Sequence, residues 1–129
     1  MVKSYAVAIT TTSGGAATGY TPVVSGLIRS IAYVPDGTNP LDTGADIVVT
    51  GNTSGMAILT KANIGTSAVQ WHPRAGTAAV ADGSALLYAA AGQAVCDLIP
   101  VGNEAVKIVV AQGGNALSGT FYVFVDGGV

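Results

Sequence analysis

Hydrophobic and polar side chains alternate along Ser4–Thr10, with Tyr5, Val7 and Ile9 on one face and Ser4, Ala6, Ala8 and Thr10 on the other. A period of two marks a half-buried β-strand. The run Tyr20–Val34 predicts a longer strand, with Pro22 near its start and Gly26 at a bulge or bend. On strict alternation Ile28, Ala32 and Val34 share one of its faces and Leu27, Arg29, Ile31 and Tyr33 the other. Two apolar faces predict a central strand, or one covered by a neighbouring subunit. Asp46–Thr50 and Met56–Lys61 flank the turn formers Gly51, Asn52, Ser54 and Gly55, which predicts a hairpin. Ser67–Ala75 is a strand broken at Pro73, and Ala94–Val101 is another, with Pro100 near its end. Val106–Ala111 and Thr120–Val125, rich in Val, Ile, Phe and Tyr, are joined by a link with Gly113, Gly114, Asn115 and Gly119. That arrangement predicts a short-looped strand pair.

Two stretches between these runs read as long loops: the Gly/Thr/Ala-rich Thr11–Gly19, and Pro35–Asp46, which concentrates Pro, Asp-Gly and Asn-Pro. The Ala-rich passage from Asp82 to Ala94 is the one place where a short helix fits, within limits set by Gly83 and Gly92. The sum is about eight strands at sandwich spacing, which is also the jelly-roll count, although periodicity does not give strand order. The expectation is an all-β, single-domain antiparallel β-sandwich over residues 1–129, jelly-roll-like, with Met1–Lys3 as an N-terminal arm.

Composition narrows the function classes. Of 129 residues, 50% are hydrophobic and only 9% charged, against a usual charged share of roughly 25%. A surface with few repelling groups suits a protein that lies against other protein. The net charge is −2, and Lys3, Arg29, Lys61, Arg74 and Lys107 are scattered, so nucleic acid is not an expected partner. No apolar stretch nears the roughly 18 residues of a membrane helix, and the first residues carry no signal-peptide pattern. Synthesis in the cytoplasm as a soluble protein, with no membrane partner, is the expectation.

Candidate chemistry is sparse. His72 is the single histidine, flanked by Trp71, Pro73 and Arg74, and reads as a structural residue at a strand end. Cys96, the single cysteine, lies in an apolar run and reads as a small buried hydrophobe. A His72–Cys96 dyad would depend entirely on folding. Gly51–Gly55 lacks the spacing of a nucleophile elbow. Asp36, Asp42 and Asp46 share a loop but lack the alternation of a calcium loop. No catalytic, cofactor-binding or metal-binding residue is expected. Trp71 reads as a core anchor, and Arg74 as a side chain able to reach a partner carboxylate.

Ile28-Arg29-Ser30-Ile31 leading to Val34-Pro35, Trp71-His72-Pro73-Arg74, Leu98-Ile99-Pro100-Val101, and Val110–Asn115 before Gly119–Val123 together resemble small structural proteins of tailed bacteriophages, over Leu27 to Val125. The resemblance implies a non-enzymatic capsid decoration (cement) protein: a jelly-roll-like sandwich bound as a homotrimer to the major capsid protein on the outside of the head. Alternatives are a tail or head–tail junction component, or a carbohydrate-binding module of a receptor-binding apparatus. The expected partner contacts are Met1, Val2 and Lys3, the Thr11–Gly19 loop, Asp36, Asn39, Leu41 and Asp42 in the second loop, and Arg74.

Overall fold

The computed structural model describes residues 1–127. Its strands are β1 (Val2–Thr10), β2 (Ala17–Tyr20), β3 (Val24–Pro35), β4 (Asp46–Gly51), β5 (Ala57–Lys61), β6 (Val69–Trp71), β7 (Ala75–Gly76), β8 (Cys96–Asp97), β9 (Ile99–Glu104), β10 (Val106–Ala111) and β11 (Ser118–Asp126). One sheet runs β1-β11-β3, with β6 and β9 both paired to the far edge of β3. The other runs β2-β10-β4-β5. All pairings between these strands are antiparallel, and they nest: β1 with β11, β2 with β10, β3 with β6 and β9, β4 with β5. Nested hairpins rolled so that their strands are shared between two sheets are the jelly-roll arrangement. The eight positions are filled by nine strands, because β6 and β9 sit in line along one edge of β3.

The core lies between the sheets. Ile28, Ile31, Tyr33, Phe121 and Val123 from one sheet and Ile47, Val49, Val106, Ile108 and Val110 from the other are fully buried. The rings of Tyr33 and Phe121 pack with centroids 5.0 Å apart and planes inclined at 31°. Trp71 is partly buried against this core. The hairpin expected from Asp46 to Lys61 forms as β4–β5, and β3 lies inside its sheet, between β11 and the β6/β9 edge, with Leu27, Arg29 and Val34 exposed on its outer face.

Four expectations need correction. The closing runs do not pair with each other: β10 and β11 belong to opposite sheets. Their link winds through positive φ at Gln112 (57°), Gly114 (90°) and Ala116 (52°) and bonds to other loops. Gly113 donates to Gly15 O (2.8 Å) and accepts from Asp42 N–H (3.1 Å). Strict alternation fails in β3, because the register against β11 slips between Phe124 and Val125, leaving Arg29 unpaired between Ile28 and Ser30. Ile28 therefore joins Ile31 and Tyr33 on the core side. The glycine-rich loop after β1 is shorter than expected, since Ala17–Tyr20 pairs with β10. No helix forms at Asp82–Ala94; its bonds close two small hairpins instead.

Candidate docking surfaces

The interval between β6 and β9 is an insertion at one edge of a sheet. Its stem is β7–β8, with Ala75 opposite Asp97 and Gly76 opposite Cys96. Beyond the stem the chain divides into two hairpin branches. One is bridged at Ala78 and Ala85 and closed by Ala79 N–H to Ser84 O (2.8 Å); the other is bridged at Leu87 and Ala94 and closed by Tyr88 N–H to Gln93 O (3.0 Å). Stem and branches meet in a triangle of backbone bonds. Thr77 N–H donates to Val95 O (2.8 Å), Val95 N–H to Leu86 O (2.9 Å), and Leu86 N–H to Thr77 O (3.0 Å). The branch tips turn through positive φ at Gly83 (73°) and Ala91 (58°), which is why a helix does not propagate there. Asp82 also accepts from the N–H (3.0 Å) and hydroxyl (2.8 Å) of Ser84. The Ser84 backbone bond is the main reason its carboxyl is held below the ordinary value.

This arm has backbone bonds but no core. No residue from Arg74 to Leu98 is buried, although Val80, Leu86, Leu87 and Tyr88 are large and apolar, and Tyr88 is 77% exposed. Several large apolar side chains left exposed on one ordered element mark it as a candidate contact site. Cys96 lies in the stem and is exposed, so the expectation of a buried thiol is corrected.

The opposite edge of the same sheet is β1. It pairs with β11 over all nine residues, Val2–Thr10, without a register shift, and nothing pairs with its other side among the described residues. Of its residues only Lys3 is charged. The remaining edges are blunted in the ways edges usually are. β2 is four residues long, β5 has a bulge beside it and ends on Lys61, and the β6/β9 edge carries Pro100 and the arm.

The residues expected to meet a partner do not form one patch. Val2 pairs with Asp126, which pairs in turn with Leu27, whereas Thr10 pairs with Ser118 and the neighbouring Gly119 with Pro35. Met1–Lys3 and the Pro35–Asp46 loop therefore sit at opposite ends of the sheet. Val2 and Lys3 are strand residues and not a free arm, and the amino group of Met1 lies 3.3 Å from Asp126 Oδ1. In the loop, Asp36 Oδ2 accepts from Thr38 N–H (3.1 Å) and Asn39 N–H (2.8 Å), and Asn39 O accepts from Ser118 N–H (2.8 Å). Asp36, Asn39 and Asp42 are exposed, but Leu41 is fully buried, its N–H donating to the Tyr33 hydroxyl (3.2 Å). Leu41 thus holds the loop to the core and presents nothing to a partner. Arg74 donates from Nη1 to Arg29 O (3.0 Å) and to Pro73 O (2.8 Å), clipping the base of the arm to β3.

His72 is exposed just after β6. Among the described residues no group of three or more His, Cys, Asp or Glu is placed to share a metal ion. Asp46 Oδ1 accepts from Asn63 N–H (3.0 Å) while Asp36 caps its own turn, so these two carboxylates are engaged separately. A shallow depression of about 340 Å³ beside β1 includes Val34, Pro35, Asp36, Ser118 and Gly119 and has Asp36 as its one charged residue. The arm and the β1 edge escape sequence reasoning because each is defined by what does not cover it. Gly83 and Gly92, set nine residues apart like the two hairpin closures, are the nearest sequence trace of the branches.

No protein-family model matches the chain, and no curated protein matches it. Among solved structures it is similar to one titled "Crystal Structure of FLHE", with 11% identity over 96% of each chain and a TM-score of 0.44.

Proposed function

We propose that this protein is a non-enzymatic structural component of a virus particle, a decoration (cement) protein on the outside of a tailed-phage head. In this reading it is made in the host cytoplasm and binds the major capsid protein as a homo-oligomer, a trimer on the resemblance given above. The observation that carries it is the arm from Arg74 to Leu98, ordered by backbone bonds yet without one buried residue. Such an element gains its stabilisation by covering apolar surface on another protein. The low share of charged residues supports the same reading, because charge is depleted at the centre of interfaces.

The test is to purify particles that carry the chain, count its copies by mass spectrometry and locate it in a cryo-EM map. Copies in the hundreds on the outer shell are expected. A ring at one vertex would replace decoration with a tail or junction role, and absence from the particle would end the structural reading.

A further inference from the structure

We infer that the arm of one copy lies along the β1 edge of a second copy, head to tail, so that the contact repeats and closes a ring. The inference does not rest on the particle reading, since it concerns only copies of this chain.

Placement carries the first part. In the sheet ordered β1-β11-β3, β1 is one border and the arm springs from the other, between β6 and β9. Two complementary elements on opposite borders of one molecule make a heterologous contact, and such contacts close into rings when the rotation allows. Pairing β1 of one copy with β1 of another would satisfy that edge but leave both arms uncovered.

Chemistry carries the second part. Among the described residues nothing pairs with the backbone donors and acceptors on the free side of β1, and its outer face carries Val2 and the small side chains Ser4, Ala6, Ala8 and Thr10, all exposed. Neither proline nor bulge interrupts it, so an incoming strand can add along its length. The arm brings short strand segments together with Val80, Leu87 and Tyr88, all exposed. The charges are complementary. Lys3 is the only charge on β1 and makes no ion pair among the described residues, while Asp82 and Asp97 are the only charges between Arg74 and Glu104. Opposed charge at the rim steers and orients such a contact.

The test is light scattering on the full chain over a range of concentrations. Wild type is expected to form a closed oligomer larger than a dimer. Ala8→Glu, on the exposed face of β1, and Tyr88→Ser, on the arm, are each expected to shift the association midpoint by roughly tenfold or more, while thermal unfolding shows both variants still folded. Mixing them is decisive. The Ala8→Glu copy keeps a working arm and the Tyr88→Ser copy a working edge, so the mixture is expected to form a heterodimer and no ring. Lys3→Glu and Asp82→Lys are each expected to weaken association, and the double variant to recover it. Ala6→Glu and Leu87→Ser replace either first variant should it fail to fold. A wild type that stays monomeric, a Tyr88→Ser protein that assembles like wild type, or a mixture without heterodimer would each overturn the inference. Loss of particle binding by Tyr88→Ser with its ring intact would also overturn it and leave the particle reading standing.

Discussion

Two side chains show how single polar groups hold the connections of this sandwich. The buried Tyr33 hydroxyl accepts the Leu41 N–H, and that bond pins the long loop to the core. Burial raises the phenol above its ordinary value, and the Leu41 bond offsets part of the rise. Tyr33→Phe keeps the ring against Phe121 but leaves a buried N–H unsatisfied. Denaturant unfolding is expected to show a loss of about 1–3 kcal/mol, and an unchanged midpoint would mean that the loop holds without it. Glu104 does similar work at the β4–β5 turn. Its Oε1 accepts from Thr53 N–H (2.8 Å), Ser54 N–H (2.9 Å) and the Ser54 hydroxyl (3.2 Å). A Cβ on Gly51 would come to 2.5 Å from that oxygen, so a larger residue there would have to displace the Glu104 carboxylate from these bonds. The Ser54 N–H is the main cause of a carboxyl held below its ordinary value, with partial loss of water acting against it. The folded protein therefore binds fewer protons than the unfolded chain in the window between the two values. The contribution is complete above the unfolded value and is lost as pH falls through the folded one. Glu104→Gln is expected to lower the melting temperature at neutral pH, and the gap to wild type is expected to close in acid. A gap independent of pH would remove the charge from the explanation.

At the scale of elements, the arm inverts the usual relation between order and burial. Most strands of the sandwich are held by a ladder and a buried face, as in β11, where every second residue from Gly119 to Val125 is buried. The arm has only its ladders and the triangle joining Thr77, Leu86 and Val95. Exchange protection falls where buried contacts are few. In the unassembled protein its amides are expected to exchange faster than those of β11, with Thr77, Leu86 and Val95 the slowest within the arm. Uniformly fast exchange from Ala75 to Asp97 would mean that the triangle does not persist. The same element marks a limit of pattern reading. Asp82–Ala94 is rich in alanine, a strong helix former, yet pairs as hairpins. Its partners lie only a few residues away, as in Ala78–Ala85 and Leu87–Ala94, and the positive φ at Gly83 and Ala91 turns the chain back before a helix can form.

At the scale of the whole molecule, the insertion leaves the sandwich intact because it enters at an edge. β6 and β9 lie in line against β3, with Ile31 opposite Trp71 and Ile28 opposite Ile99, so the arm interrupts one border strand and no central one. The border opposite it is the long unblunted β1. A copy of this chain thus presents two different uncovered elements in two directions, which favours repetition over a single two-fold pairing. The candidate contact residues read from sequence were dispersed by the same topology: Met1–Lys3 at one end of the sheet, the Pro35–Asp46 loop at the other, Arg74 at the base of the arm.

Much of the sandwich was legible in the chain because alternation is a local property. Val7 and Ile9, Ile47 and Val49, and Ile108 and Val110 announce their buried faces two residues at a time, and Gly51–Gly55 announces its hairpin. The identity of each strand's neighbour is not local. β10 and β11 look like a hairpin in sequence, yet the bonds of Gly113 with Gly15 and Asp42 carry the link across the core to the other sheet. The bulge at Arg29 shifts the buried parity of β3 through its pairing with β11. Nor does a sequence state which apolar residues stay uncovered: Leu41 and Leu87 differ by burial and not by type. Composition and periodicity thus determine that this chain makes two sheets around a core of Val, Ile and aromatic side chains. Only the three-dimensional pairing of distant segments decides which border remains open and which stretch projects, because exposure is a relation between segments and not a property of any one of them.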